Sequence, residues 1–282
     1  MSVDIAGSVG EALALLRDHP EADVLAGGTD LLVEINFGRK RPERVIAIDR
    51  LGELKGVETN GHIRMGALVT YTRMLDDDAG SPALREAART IGSPQIRNAG
   101  TIGGNLGTAS PAGDTLPVLA ALEATVVLRS LSGDRRVKFT DFMTGPKKSV
   151  RRPDELIVAA EWDDAGPAQT YMFVSTRNAM AISIAGLALV VDRARRRVGA
   201  GLGSCGPTII RPAPAERFAT GLIDEAGWER TFVPSESTAK EFGRLVAAAA
   251  KPIDDVRGTA AYRRHALAVM GARALPRVAA IA

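Results

Sequence analysis

Two glycine-containing segments hold the residues that could bind a charged ligand. The first, residues 26–30, reads AGGTD, and the second, residues 101–114, reads TIGGNLGTASPAGD. Because glycine lacks a side chain, backbone N–H groups in such segments can converge on an anion, as in phosphate-binding nests and at helix N-termini. The pattern predicts a site for a pyrophosphate group.

Each segment alone is also explained by an ordinary turn, because glycine adopts positive φ without steric cost. The recurrence of paired glycines beside a threonine, followed by Asp114, favours a ligand site.

Two other glycine motifs are predicted not to bind nucleotide. Residues 201–206 satisfy G-x-G-x-x-G, but the prolines that follow prevent a helix from starting there. Residues 145–149, GPKKS, lack the first glycine of a P-loop and are predicted to form a turn.

The elements around the first segment are predicted to form a small lobe over residues 1–55. Ser8 and Glu11 form a capping box before apolar residues at helical spacing, which indicates a helix. Asp30 precedes a second helix. It either caps that helix or contacts a ligand. The elements predicted for this lobe are helices over residues 8–18 and 30–37 and strands over residues 24–26 and 45–48.

A second lobe is predicted over residues 56–168. It opens with Asn60 and Gly61, a strong hairpin signal between two strands. Its mixed sheet is expected to pack on helices, with the second glycine segment as a loop between them. The predicted helices cover residues 70–75, 82–91 and 115–122, and the predicted strands cover residues 57–59, 62–65, 126–129, 137–139 and 156–162.

The turn-forming residues 163–167 are a plausible linker, after which the pattern changes. Residues 169–282 are predicted to form a smaller α+β domain. A chain of 282 residues suits two domains of about 100–200 residues each. The elements predicted for this domain are strands over residues 171–175, 182–191 and 198–202 and helices over residues 213–220, 237–250 and 259–274.

Composition and charge argue against several classes of protein. The chain has 36 basic and 33 acidic residues, and its basic runs lack interleaved aromatic residues, so no nucleic-acid partner is expected. Those runs, residues 147–152 and 193–197, are predicted to be solvated turns or a docking face for an acidic partner. The single Cys205 provides neither a disulfide nor the roughly four ligands of an iron–sulfur cluster, and the scattered histidines predict no metal site.

Nothing in the sequence predicts insertion into a membrane or secretion. The longest apolar run, residues 182–191, is too short to cross a bilayer. The first residues include an acidic side chain where a signal peptide is basic. A cytoplasmic location is therefore expected.

Several longer stretches make the chain resemble the FAD-binding subunits of the xanthine dehydrogenase and carbon monoxide dehydrogenase family, the molybdenum hydroxylases. AGGTDLLVEINFGRKRP resembles the first flavin segment of that family, and TIGGNLGTASPAGDTLP resembles the second. RPDELI, TRNAMAIS and GPTIIRPAPAE extend the resemblance over nearly the whole chain. It implies an α+β fold: a two-lobed FAD-binding domain of the PCMH/VAO type, residues 1–168, and a small α+β C-terminal domain, residues 169–282.

The resemblance also implies which residues contact FAD. The residues implied to wrap the diphosphate and ribityl part are Leu25, Ala26, Gly27, Gly28, Thr29, Asp30 and Leu31. The residues implied to hydrogen-bond phosphate and ribityl oxygens are Thr101, Gly104, Asn105 and Thr108. Ile96 and Gly100 would pack on the cofactor, Asp114 would bind a hydroxyl group or the adenosine end, and Ile157 would lie against a ring. Core packing is the alternative role for Ile96 and Ile157.

Two positions depart from the family pattern. Phe173 stands where several relatives have lysine, which removes a charge near the cofactor. Gly113 stands where some members have serine, which removes a hydroxyl donor. Neither departure argues against FAD binding, because most of the expected anchoring comes from backbone amides.

The activity implied by the resemblance is electron transfer, with no catalytic acid, base or metal on this chain. A large partner subunit would hold the molybdenum cofactor and a small one two [2Fe–2S] clusters, in a dimer of heterotrimers. Electrons would pass from the clusters to FAD and on to NAD⁺, a quinone or another acceptor. Purines, carbon monoxide, N-heterocycles and aldehydes stay open as substrates, and AGGTDLL and TASPAGD favour a xanthine-type or aromatic heterocyclic one.

Two other functions stay open at this stage. One is a stand-alone FAD-dependent oxidoreductase of the same fold, which would need its own substrate pocket with a base or a covalent flavin link. The other is a non-catalytic scaffold that has lost FAD. The presence of both glycine segments argues against the scaffold.

Overall fold

The structure is a computed structural model that describes residues 1–76, 80–177 and 180–281. Two residues of the TRNAMAIS motif, Asn178 and Ala179, lie outside the described residues. The protein is built of mixed helices and sheets, as predicted, with a separate sheet in each lobe and in the C-terminal region. None of the described helices combines the length and hydropathy that crossing a bilayer requires.

The first lobe is a three-stranded parallel sheet with a helix on it. Its elements are β1 (Ser2–Ile5), α1 (Val9–Asp18), β2 (Asp23–Leu25), α2 (Leu31–Asn36) and β3 (Arg44–Ala47), and the strand order is β1-β3-β2. The N-cap half of the predicted capping box is present, since Ser8 accepts a hydrogen bond from the Glu11 amide. The Glu11 carboxylate accepts from the Gly7 amide instead of the Ser8 amide that the standard motif uses. The sequence analysis missed β1, because its apolar residues Val3 and Ile5 are exposed and its parallel partner is distant in sequence.

The second lobe is an antiparallel sheet in the order β4-β5-β10-β6-β7, packed on a group of short helices. The predicted hairpin is present, with Gly61 at a φ of 82° in its turn. The elements of this lobe are β4 (Val57–Thr59), β5 (His62–Gly66), α3 (Pro82–Thr90), α4 (Pro94–Ala99), α5 (Ile102–Thr108), α6 (Thr115–Ala121), β6 (Thr125–Ser130), β7 (Gly133–Lys138), α7 (Phe139–Phe142), β8 (Met143–Gly145), β9 (Lys148–Ser149) and β10 (Leu156–Asp163).

The second glycine segment is not the loop that the sequence suggested. It contains α5, and α4 lies just before it. Ile102 and Leu106 are fully buried, so tertiary packing outweighs the low helix propensity of the glycines. A Cβ at Gly103 would lie 2.6 Å from the carbonyl oxygen of Ala67, so glycine lets the two backbones meet.

The helix predicted over residues 70–75 is wrong in length, since only a single 3₁₀ turn forms there, at Arg73–Leu75.

The C-terminal region is an antiparallel sheet in the order β11-β12-β13 with three helices. Its elements are β11 (Gln169–Val174), β12 (Ala185–Asp192), β13 (Arg197–Gly203), α8 (Ala213–Ala226), α9 (Glu236–Ala249) and α10 (Ala260–Ala279). The strand predicted to begin at residue 182 begins at Ala185. The sheet contacts the second lobe closely, since Cβ atoms at Gly199 and Gly201 would lie 2.0 and 2.1 Å from carbonyl oxygens of α6.

Several residues of the basic runs form bonds within the chain. Arg193 donates to backbone carbonyls of Trp228, Arg230 and Ile281. Lys147 forms an ion pair with Glu34. Residues 145–149 form the predicted turn between β8 and β9, and residues 201–206 are the end of β13 and a loop, with no helix at the third glycine.

Candidate functional site

A cavity of about 950 Å³ lies where the two lobes and the C-terminal region meet. Its volume is at the upper end of the roughly 300–1,000 Å³ that small-molecule and cofactor sites occupy. Both glycine segments line it, together with Met180, Ala181 and Ile182 from the C-terminal region. The fold therefore brings together two segments that are some seventy residues apart in the chain.

The first glycine segment presents unused backbone donors to this cavity. Within the described residues, the N–H groups of five consecutive residues donate no hydrogen bond to another part of the chain; these are Gly27, Gly28, Thr29, Asp30 and Leu31. Gly28 has a φ of 72°, which turns the backbone sharply at that point. A run of successive amides in such a turn is an anion-binding arrangement.

The second glycine segment uses the backbone donors at the start of α5 within the chain. The Ile102 and Gly103 amides donate to the carbonyls of Val69 and Ala67. The Gly104 amide donates to the hydroxyl oxygen of Thr101, at 3.0 Å, which makes Thr101 the N-cap of α5. The expectation of a run of free amides therefore holds for the first segment and not for the start of α5. Side chains of α5 are what the second segment presents to the cavity.

A hydrogen bond joins the two segments across the cavity wall. The Thr108 hydroxyl donates to the Asp30 carboxylate at 3.1 Å. Of the two roles left open for Asp30, capping of α2 is not observed, because its side chain makes no capping hydrogen bond. The carboxylate instead ties the beginning of α2 to the end of α5.

Asn105 is fixed from both sides. Its side-chain oxygen accepts a hydrogen bond from Thr115 at 2.6 Å. A Cβ at Gly113 would lie 2.7 Å from the Asn105 side-chain nitrogen. The glycine that departs from the family pattern therefore leaves room for the Asn105 amide group beside the cavity.

Asp114 lies at the cavity wall and is held by the C-terminal region. Its Oδ1 atom accepts hydrogen bonds from the Tyr171 hydroxyl at 2.7 Å and from the Ser183 hydroxyl at 2.5 Å. Burial raises the pKa of Asp114, and the two hydrogen bonds oppose that rise. Tyr171 in turn stacks on Phe173, with ring centroids 6.2 Å apart. Phe173, which departs from the family pattern, therefore packs on Tyr171, the residue that donates to Asp114.

The cavity includes most of the residues predicted to contact a cofactor. Two predicted residues, Leu25 and Gly100, do not line it. Leu25 belongs to β2, where its carbonyl accepts from the Ile48 amide. Gly100 faces the ring of Tyr71, which itself lines the cavity. The predicted residues that do line it are Ala26, Gly27, Gly28, Thr29, Asp30, Leu31, Ile96, Thr101, Gly104, Asn105, Thr108, Asp114 and Ile157.

Several lining residues were not predicted. Tyr71 and Ser93 carry no motif signal, although Ser93 could have been recognised as the N-cap of α4 from the Ser-Pro that begins it. Lys147 and Arg151 were interpreted as parts of a solvated basic run, but both line the cavity. Burial lowers the pKa of Arg151, whose guanidinium donates to the carbonyl of Glu155 at 2.6 Å.

These residues suit FAD as a ligand. A dinucleotide needs donors for its diphosphate and apolar surface for its rings. The unused amides of residues 27–31 provide the donors. Ile96, Ile157 and Ile182 provide apolar surface in the same cavity, and Ile96 and Ile182 are exposed. The cavity therefore combines both requirements.

Comparisons with known proteins agree with this arrangement. The family model described as "FAD binding domain in molybdopterin dehydrogenase" matches residues 1–161, and the one described as "CO dehydrogenase flavoprotein C-terminal domain" matches residues 170–278. The nicotinate dehydrogenase FAD-subunit of Eubacterium barkeri is 41% identical over 65% of this chain and 67% of its own length. The glyceraldehyde dehydrogenase medium chain of Sulfolobus acidocaldarius is 32% identical over 97% of this chain and 96% of its own length.

A solved structure extends the likeness to the whole fold. A chain of the reconstituted CO dehydrogenase from Oligotropha carboxidovorans superposes with a TM-score of 0.89 at 26% identity, covering 100% of this chain and 98% of that one. The chain belongs to the family of FAD-binding medium subunits of the molybdenum hydroxylases, and it is an oxidoreductase subunit that binds FAD.

Proposed function

We propose that this chain is the electron-transfer subunit of a multi-subunit, xanthine dehydrogenase-like molybdenum hydroxylase. It receives electrons from [2Fe–2S] clusters on a small partner subunit and passes them to NAD or another acceptor. Bound FAD exchanges one or two electrons, so it can join one-electron clusters to a two-electron acceptor. The chain's own residues bind and orient the cofactor.

The observation that carries the proposal is the run of unused amides at residues 27–31, which faces a cavity with apolar walls. These amides hold the diphosphate. Backbone donors suit this role because their positions are fixed before the ligand arrives, so little conformational entropy is lost on binding. The side chain of Thr29, which also lines the cavity, adds a hydroxyl donor.

The second segment contributes side chains in this proposal. Asn105 and Thr108 contact the ribityl and phosphate oxygens from one face of α5. The Thr108 hydroxyl, whose proton goes to Asp30, accepts a hydrogen bond from a ribityl hydroxyl. Thr101 and Gly104 set the start of that helix. Asp114 accepts a hydrogen bond from a hydroxyl group of the cofactor. Ile96 and Ile157 pack on its rings. Leu25 and Gly100 act from behind the wall, by supporting β2 and Tyr71.

The assembly follows from the same proposal. A large subunit with the molybdenum cofactor oxidises the substrate, and the complete enzyme is a dimer of heterotrimers in the cytoplasm. Residues 1–168 form the FAD-binding domain, with lobes of about residues 1–55 and 56–168, and residues 169–282 form the C-terminal domain. The relatives include a nicotinate and a glyceraldehyde dehydrogenase by name, so the partner subunit sets the substrate.

Two measurements test the proposal in sequence. The full chain, freed of flavin, is titrated with FAD and with FMN while flavin fluorescence and thermal unfolding are followed. We expect one FAD per chain and a rise in the melting temperature, with weaker binding of FMN, which lacks the diphosphate bridge. A folded chain that gains neither flavin nor thermal protection contradicts the proposal.

The role in a complex needs the native host. Affinity purification of the tagged chain is expected to recover two further chains together with molybdenum and iron. Rapid mixing of that complex with its substrate should reduce FAD, as seen by bleaching of its visible absorbance. Recovery of a single flavoprotein that oxidises a substrate alone would favour the stand-alone oxidoreductase instead.

A further inference from the structure

Arg263 is a fully buried arginine that the FAD site does not contain. It lies in the first turns of α10, and only 1% of its surface is exposed. Its guanidinium donates to the backbone carbonyls of Ile184 at 2.6 Å and Ser204 at 2.7 Å, and it pairs with the Asp255 carboxylate at 2.7 Å. A buried charge is costly unless hydrogen bonds compensate it, so these contacts define a specific arrangement.

The two carbonyls that Arg263 bonds belong to the strand ends nearest the cavity. Ile184 directly precedes β12 and follows Ser183, whose hydroxyl donates to Asp114. Ser204 directly follows β13, and its amide donates to the Pro111 carbonyl at 2.8 Å. One guanidinium therefore joins two chain segments that each bond residues 110–114 of the cavity wall.

The backbone at Ser204 needs such support. Ser204 has a φ of 58°, in the left-handed region that residues other than glycine rarely adopt. Its hydroxyl oxygen is buried and has no hydrogen-bond partner among the described residues. The bond from Arg263 to the Ser204 carbonyl stabilises this unfavourable conformation, in which the amide of the same residue points at Pro111.

We infer that Arg263 is a positioning residue for FAD: it holds the ends of β12 and β13 so that Ser183 and Ser204 fix the Pro111–Asp114 wall of the cavity. This inference rests on the proposed contact between Asp114 and FAD. It also gives the C-terminal region a role in cofactor binding, although most lining residues belong to the two lobes.

Arg193 provides a matched control for Arg263. It lies in the same region and also donates to backbone carbonyls, those of Trp228, Arg230 and Ile281. Those carbonyls lie near the ends of α8 and α10, and none belongs to a residue that lines the cavity. Arg263→Met and Arg193→Met each remove a guanidinium that ties backbone segments together, but only the first acts on the cavity wall.

The test is an FAD titration of each full-length, flavin-free variant, with thermal unfolding measured on the same samples. We expect both variants to lower the melting temperature. Arg263→Met is expected to raise the Kd for FAD about tenfold or more, while Arg193→Met changes it less than about twofold. Equal effects of the two variants, or an unchanged Kd for Arg263→Met, would overturn the inference.

A milder pair of variants covers the case in which Arg263→Met does not fold. Ser183→Ala removes the link to Asp114 without burying or removing a charge, and Arg263→Lys keeps the charge with fewer donors. Both are expected to raise the Kd for FAD, and the double variant is expected to raise it by less than the product of the single fold-changes. Independent, multiplying effects, or unchanged Kd values, would show that Arg263 does not act through Ser183.

These outcomes are distinguishable from failure of the proposed function. If the unmodified chain does not bind FAD, the proposed function is wrong and the variants have nothing to change. If the unmodified chain binds FAD and the variants bind it equally well, the proposed function stands and only the role of Arg263 is refuted.

Discussion

The two glycine segments have similar residues but use their backbones in opposite ways. Residues 27–31 leave successive amides without partners in the described chain, whereas the amides at the start of α5 are all used within the chain. The first segment is thus an open set of donors, and the second is a packed helix that presents side chains. Paired glycines alone do not determine whether a segment becomes an open turn or a packed helix.

The flanking residues explain the difference. Ile102 and Leu106 are completely buried, and Thr101 caps the helix, so α5 is pinned against the core. By contrast, α2 has no fully buried residue, and Asp30 makes no capping bond. A segment without apolar anchors cannot bury its backbone, so its amides stay available. An anion-binding turn therefore forms where core packing is weak.

Gly27→Ala is expected to give the largest effect. The added Cβ would lie 1.7 Å from the carbonyl oxygen of Ala99, a backbone atom that cannot move aside. We expect a loss of about 3 kcal/mol in the free energy of unfolding and no measurable FAD binding, because the turn must open. Gly52→Ala is the control, since a Cβ there meets nothing within 4 Å. Denaturant unfolding and FAD titration measure both; normal FAD binding by Gly27→Ala would contradict the prediction.

Thr101→Ala tests the packed helix. It removes the N-cap of α5 and should cost about 1 kcal/mol in the free energy of unfolding. Because α5 carries Asn105 and Thr108, the Kd for FAD should also rise. Thr259→Ala removes the same kind of cap, which accepts from the Tyr262 amide at the start of α10. A similar loss of stability with unchanged FAD affinity is expected there, and equal effects on FAD would mean that α5 has no special role.

Thr108→Val tests the link between the two segments. The change keeps the shape of the side chain but removes the hydroxyl that donates to Asp30. We expect the Kd for FAD to rise roughly three- to tenfold, with a change in melting temperature too small to explain it. Thr220→Val removes a comparable hydroxyl bond, to the Glu216 carbonyl in α8, and should leave the Kd unchanged. Isothermal titration of the flavin-free variants provides the measurement.

Local signals predicted much of the fold. The Ser8 cap of α1 and the Asn60-Gly61 hairpin are predicted from neighbouring residues, and both are present. The sequence could not reveal α5, because its glycines are poor helix formers and its stability comes from contacts with the distant Ala67 segment. The same is true of the hydrogen bonds from Thr108 to Asp30 and from Tyr171 to Asp114, because the first depends on how the two lobes meet and the second on how the C-terminal region meets the second lobe.

Asp114→Asn should have the smallest effect, visible as a dependence on pH. Burial raises the pKa of Asp114 in the folded protein. At pH values between the unfolded and the folded pKa, the folded state therefore holds a proton that the unfolded chain has released. The free energy of unfolding falls as pH rises through that interval. Asparagine keeps an oxygen to accept from Tyr171 and Ser183 but does not titrate. The stability of the flavin-free variant relative to the unmodified protein should therefore increase as pH rises from about 4, the ordinary range of an Asp carboxyl. Asp163→Asn should give the opposite slope, because the hydrogen bond from His62 lowers the pKa of Asp163. Denaturant unfolding at a series of pH values measures both slopes, and slopes of the same sign would mean that Asp114 is ionised without penalty at the wall.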